Sequence, residues 1–147
     1  MVWLGIDLGN ARVGLALSDP EHTFAHPAGN IYVTGDYFFA IDDVVDLIEE
    51  ERVEHVVVGL PLNMDGTEGK SAKKARRWAA NLEKRLEHES EDGCKPSISM
   101  IDERLTTVSA HHQLYDAHQS STKHRAVVDQ QSAVVILQMA LDRVREQ

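Results

Sequence analysis

The sequence predicts an α/β fold: a five-stranded mixed sheet, with three antiparallel leading strands and two parallel later ones, flanked by helices. Three observations carry this. Two apolar runs, Val2 to Asp7 and Arg12 to Leu17, flank a short glycine-framed break and read as a hairpin. Two later apolar runs, His55 to Gly59 and Ile98 to Ile101, have the composition of short strands buried on both faces. Around those two runs the apolar spacing switches to the helical period. The predicted order is β-β-β-α-β-α-β-α-α, and strands joined through helices must run parallel. A length of 147 residues suits one domain over 1–147 with a single core.

Asp7 closes the first run. A carboxylate at the end of a buried run costs free energy unless a metal or a hydrogen-bond donor meets it. Gly9 and Gly14 bracket the following turn, and their freedom to take positive φ suits a turn beside a phosphate-bearing ligand. Ser18-Asp19-Pro20 breaks the second strand. Ile31-Tyr32-Val33, after Pro27 and Gly29, is a short third strand. A helix opens at Gly35-Asp36, with Tyr37, Ile41, Val44, Val45 and Ile48 at helical spacing and acids on its other face.

Beyond the strand at 55–59, Leu60 to Gly69 is a loop of turn formers. A long helix spans roughly Ser71 to Glu89, with Ala72, Ala75, Ala79, Leu82 and Leu86 as its stripe and Trp78 packing beside it. Residues 91–96 form a turn, and the strand from Ile98 runs into Asp102-Glu103. Thr106 or Thr107 can cap a helix to about Ala117. The polar stretch 118–126 reads as a loop, and a last helix begins near Val128-Asp129 with Ala133, Val134, Leu137, Leu141 and Val144 on one face.

Composition excludes some classes. No apolar stretch approaches the ~20 residues of a membrane helix, so no membrane partner is expected. The first residues lack the segments of a signal peptide. Cys94 is the one cysteine and forms no internal disulfide, which fits a reducing cytoplasm. The net charge of −9 by itself argues against nucleic acid. The distribution of that charge argues the other way. Residues 70–85 hold Lys70, Lys73, Lys74, Arg76, Arg77, Lys84 and Arg85 against Glu83 alone, whereas residues 36–54 hold eight acids against Arg52. A basic side and an acidic side are expected.

Ligands of open α/β sheets bind at the carboxyl ends of the parallel strands. Asp7 ends the first strand and Glu103 follows the last, while Asp129 stands where a helix start would welcome an anion. Together these three can converge. Their mutual repulsion in one cleft would be relieved by a divalent cation, and hard oxygen donors suit Mg²⁺ or Mn²⁺. Such a cluster reads as a phosphodiester-cleaving site. Each acid also has a plainer account. Asp129 can simply cap its helix, Glu103 can pair with Arg104, and Asp102 points elsewhere or supports its neighbour. Asp7 is the hardest to explain otherwise, because its flanks are apolar and rich in glycine. His111-His112 is a surface pair, since adjacent residues diverge on a helix.

Four blocks in order resemble the YqgF/RuvX family of bacterial nucleases. They are Gly5-Ile-Asp-Leu-Gly-Asn-Ala-Arg-Val-Gly14 with Ser18-Asp-Pro20, Val57-Val-Gly-Leu-Pro-Leu-Asn-Met-Asp-Gly66, Asp102-Glu-Arg-Leu-Thr-Thr107, and Val128-Asp-Gln130 with Ile136-Leu-Gln138. The resemblance implies a ribonuclease-H-like fold and a catalytic, metal-holding triad of Asp7, Glu103 and Asp129 with Mg²⁺ or Mn²⁺. It implies a substrate of structured RNA, the ends of pre-16S ribosomal RNA, or alternatively of branched DNA at a Holliday junction. A homodimer would suit junction cleavage and a monomer end trimming. Arg12, Asn63 and Arg104 within the blocks are candidate substrate contacts, with Lys70, Lys73, Lys74, Arg76 and Arg77 on the basic helix and Lys123 and Arg125 in the polar stretch. Two departures stand out. Asn10-Ala11 replaces the commoner Thr-Lys or Ser-Lys pair, and 118–126 lacks the usual glycine.

Two other classes compete. Gly5-Ile-Asp7-Leu-Gly9 also resembles the first phosphate loop of the actin and sugar-kinase superfamily, but that ATP-binding fold needs two such domains. A nucleic-acid-binding protein without catalysis is the other, and the presence of all three acids argues against it.

Overall fold

β1 (Val2–Leu8) and β2 (Arg12–Ser18) form the expected antiparallel hairpin, and β3 (Ala25–Tyr32) adds to β2 in the same sense. β4 (Val53–Leu60) and β5 (Ser97–Asp102) extend the other side in parallel, giving the order β3-β2-β1-β4-β5. The structure is a computed structural model that describes residues 1–9, 11–34, 36–89, 95–103 and 122–145, with backbone alone for 89, 122–130 and 145. The expected helix over 106–117 lies outside those residues.

β3 begins well before the apolar run at Ile31, because it is an edge strand. Pro27 has no N–H to donate, and an edge beside a register shift tolerates that. After β3, Asp36 caps a 3₁₀ turn at Tyr37–Ala40 by accepting the Phe38 N–H, and α1 (Ile41–Glu51) continues it. The long helix α2 covers Lys70–Glu89.

The two faces of the sheet differ. Leu4, Ile6, Val13, Leu15, Val56 and Val58 face α1 and α2, against Val44, Ile48, Trp78 and Leu82. Trp78 is a core residue, fully buried, with its indole N–H donated to the Tyr37 carbonyl at 2.9 Å. The opposite face, with Ala16, Val57 and Ile101, is covered by α3 (Thr122–Arg145) through Ala133, Ile136, Leu137 and Leu141.

Three expectations are corrected. The last helix starts at Thr122, not near 128, because Lys, Arg and Ala are good helix formers and polarity alone does not make a loop. The acidic α1 and basic α2 lie side by side on one face, not on opposite sides. Arg85 of α2 bonds Asp42 of α1 at 2.5 Å, so complementary charge joins the two helices. Finally, among the described glycines only Gly29 and Gly66 take positive φ, at 105° and 91°. Gly14 is an ordinary strand residue, paired with Asp7.

α3 runs against β1. Gly5 meets the helix at Ala133 and Leu137, so closely that a Cβ on it would lie 2.7 Å from the Leu137 Cβ. Further along, Ala140 lines a groove with Trp3. The N-terminal half of α3 is therefore directed toward the carboxyl edge of the sheet. Gln138 fixes this register, accepting the Ala25 N–H at 2.9 Å and donating to the Thr23 carbonyl at 3.0 Å.

Candidate active site

Asp7 is the next-to-last residue of β1 and stands opposite Gly14. On the parallel side Ile6 pairs with Val58, which puts Asp7 level with Gly59. Side chains alternate along a strand, so Asp7 shares the α3-covered face with Gly5, while Leu4 and Ile6 face α1 and α2. Asp7 is only 2% exposed.

Glu103 follows directly on β5 and is also buried. A Cβ on Gly59 would overlap its Oε1 and would lie 2.7 Å from the Ile136 Cδ1. The Glu103 carboxylate thus sits over Gly59, one strand across from Asp7, about 4.8 Å in strand spacing. The fold brings these two acids to one spot on one face, beneath α3.

Asp129 lies seven residues into α3, so the helix-start account of it is set aside. Position 129 is one turn before Ala133, about 6 Å along the axis. Asp7 lies two residues, about 6.6 Å, beyond Gly5 in the same direction. The turn of α3 that carries Asp129 is therefore level with Asp7, and it includes Ser132, which is buried at 2% exposure. The Asp129 side chain is outside the described structure. Among the described residues no three His, Cys, Asp or Glu side chains are grouped as a metal site. Asp7 and Glu103 are hard oxygen donors in a buried setting, a chemistry that fits Mg²⁺ or Mn²⁺.

The candidate substrate contacts divide. Arg12 is 4% exposed and stands on the Asp7 face of β2, diagonal to Asp7 across the hairpin, with its guanidinium 5.9 Å from the Tyr32 ring centre. It is a buried cation on the same face of the sheet as Asp7. Asn63 is exposed but shapes its own loop, donating to the Thr67 hydroxyl at 3.0 Å and accepting the Gly66 N–H through its carbonyl at 2.9 Å.

On α2, Lys74 meets Asp36 at 3.6 Å and Arg76 meets Glu68 at 2.5 Å. Among the described residues Lys70, Lys73 and Arg77 hold no ion pair. Ala72 in the first turn of α2 packs against Leu60 and Leu8, the last residues of β4 and β1, so Lys70 and Lys73 lie at the carboxyl edge that carries Asp7. Lys123 and Arg125 fall in the first turn of α3, with side chains outside the described structure, and Arg104 lies outside altogether.

Two residues that shape the site escape a reading by residue chemistry. Gly59 makes room for Glu103, and a glycine ending an apolar strand is the signal for such close approach. Gln138 sets the register of α3 and has no local signal, because its partners lie 113 and 115 residues away.

Comparisons with known proteins identify the family and the fold. The model of the RuvX family, described as Holliday junction resolvase, matches residues 1–143. A protein of Bifidobacterium longum strain DJO10A with the provisional name pre-16S rRNA nuclease is 77% identical over 152 residues, covering the whole of both chains. A Nocardioides protein with the same provisional name is 40% identical over 146 residues, 98% of this chain and 89% of that one. Among solved structures, T. thermophilus RuvC in complex with Holliday junction substrate superposes with a TM-score of 0.58 at 16% identity, covering 100% and 97% of the two chains. That likeness is one of fold, and it bears out the ribonuclease-H-like arrangement.

Proposed function

The chain belongs to the RuvX family of nucleases, and on that premise we propose that it is a divalent-metal-dependent hydrolase of phosphodiester bonds that trims the ends of pre-16S ribosomal RNA. One observation carries the reading: Asp7 and Glu103, both buried, share one face at the carboxyl edge of the sheet. The 77% identical, full-length relative supports the ribosomal RNA substrate.

Asp7 and Glu103 would hold Mg²⁺ or Mn²⁺, with Asp129 as the third ligand. Bound there, the cation supplies Lewis acidity toward the phosphodiester. Arg12 offsets the negative charge of the acids from within the sheet. Lys70 and Lys73 draw the phosphate backbone toward the edge. The substrate puts this work in the cytoplasm.

The family's description supports a second reading, cleavage of four-way DNA junctions. Two cuts across a symmetric junction would call for a homodimer. The deciding experiment is a side-by-side cleavage assay on precursor ribosomal RNA and a four-way junction, with Mg²⁺ or Mn²⁺ and with Asp7→Asn as control. Faster cutting of the RNA, lost in Asp7→Asn, is expected. Preferential junction cutting moves the assignment to the resolvase. Wild-type rates in Asp7→Asn overturn the carboxylate mechanism.

A further inference from the structure

Tyr32 is 68% exposed at the end of an edge strand, where proteins usually place charge or proline to deter association. Its position is tightly defined. Tyr32 pairs with Arg12, and the Arg12 carbonyl accepts the Gly9 N–H at 3.0 Å, so Tyr32 is level with Gly9, two residues past Asp7. Residues opposite each other in an antiparallel pair share a face. Tyr32 therefore stands on the same face as Arg12, Gly14 and Asp7, two strands or about 10 Å from β1. The Arg12 guanidinium lies 5.9 Å from its ring centre, holding the ring from within while leaving it open to solvent.

We propose that Tyr32 is a base-stacking residue: its ring takes the base of an unpaired nucleotide next to the phosphate held at Asp7, so the site favours single-stranded ends over continuous duplex. Inside a duplex the base faces are stacked already and offer nothing to a ring, whereas a single-stranded end does. This proposal rests on the nuclease reading above.

The test combines binding and cleavage. Full-length wild type, Tyr32→Ala, Tyr32→Leu, Tyr32→Phe and Tyr32→Trp are titrated in EDTA onto single-stranded RNA, single-stranded DNA and duplex oligonucleotides carrying 2-aminopurine. Melting temperatures establish that each variant is folded. Expected is about a tenfold weaker grip on single strands in Tyr32→Ala and Tyr32→Leu, with loss of 2-aminopurine quenching, and no change on duplex. Tyr32→Phe and Tyr32→Trp keep both signals. In cleavage the Ala and Leu variants raise KM and leave kcat nearly unchanged. The arm bound more tightly by wild type identifies the strand, RNA or DNA.

Wild-type binding and quenching in Tyr32→Ala, with cleavage intact, overturns the stacking role and leaves the nuclease reading standing. Equal losses on single strand and duplex that Tyr32→Phe does not restore also overturn it, reducing Tyr32 to a cover for Arg12. A wild type that neither binds nor cuts any of these nucleic acids overturns both.

Discussion

The carboxylate of Glu103 occupies the space that a side chain on Gly59 would fill. The absence of one Cβ on β4 is thus what lets the acid that follows β5 reach over toward Asp7. Gly59→Ala is expected to push Glu103 aside and to press on Ile136. Overpacking of this kind costs about 1–3 kcal/mol of stability, whereas cleavage should fall at least tenfold at temperatures where the variant is folded. Full activity in a folded Gly59→Ala would mean that the position of Glu103 is immaterial.

Metal binding should be visible without catalysis. Saturating Mg²⁺ or Mn²⁺ at a hundred times Kd stabilises a protein by about 2.7 kcal/mol. For a chain of this size that is a rise of several degrees in Tm. The shift should be present in wild type and lost in Asp7→Asn and Glu103→Gln. A wild type whose Tm ignores both ions would show that the two carboxylates hold none.

The basic helix should divide by ion pairing. Lys70→Ala and Lys73→Ala, at the carboxyl edge, are each expected to weaken nucleic-acid binding on every sequence and to lower the salt slope by about one. Arg85→Ala should leave the slope alone, because Arg85 is bonded to Asp42. An unchanged slope in the double variant of Lys70 and Lys73 would return that end of the helix to plain solvated surface.

His55 gives the fold a pH dependence. Burial lowers its pKa below the ordinary histidine value, against a smaller opposite pull from Glu54. Its ring nitrogens meet the Ser97 and Ser99 hydroxyls at 2.5 and 2.8 Å, and Trp3 packs on it at 4.5 Å between ring centres. The unfolded chain therefore binds a proton at a higher pH than the folded one. Stability should be full above about pH 6.5 and should fall as the pH drops below it, levelling off once the folded histidine is itself protonated. Thermal melts from pH 7.5 to 5 on wild type and His55→Phe measure this. A slope that is the same in both would assign it to other groups.

Much of the architecture is legible in the sequence because its signals are local. The apolar run of β1, the valines of β4 and the helical stripe of α2 each declare their own burial, and the parallel pairing follows from the helices between them. Asp7 stands out for the same reason, as an acid ending a run with no local excuse. Edge and end effects are less legible. The extent of β3 depends on its being an edge strand that tolerates Pro27, and the start of α3 is hidden by a polar first turn.

The order of the elements over the described residues, the family blocks and the three candidate acids can all be read along the chain. Which of the acids meet follows from packing between distant segments. That Asp7 and Glu103 share a face rests on the strand register and on the missing Cβ of Gly59. That Asp129 lies within its helix and level with Asp7, not at the helix start, rests on the contact of α3 with Gly5 and the grip of Gln138 on β3. The difference is one of range: burial and helix propensity are written in neighbouring residues, whereas the distance between two carboxylates is set by packing between segments far apart in the chain.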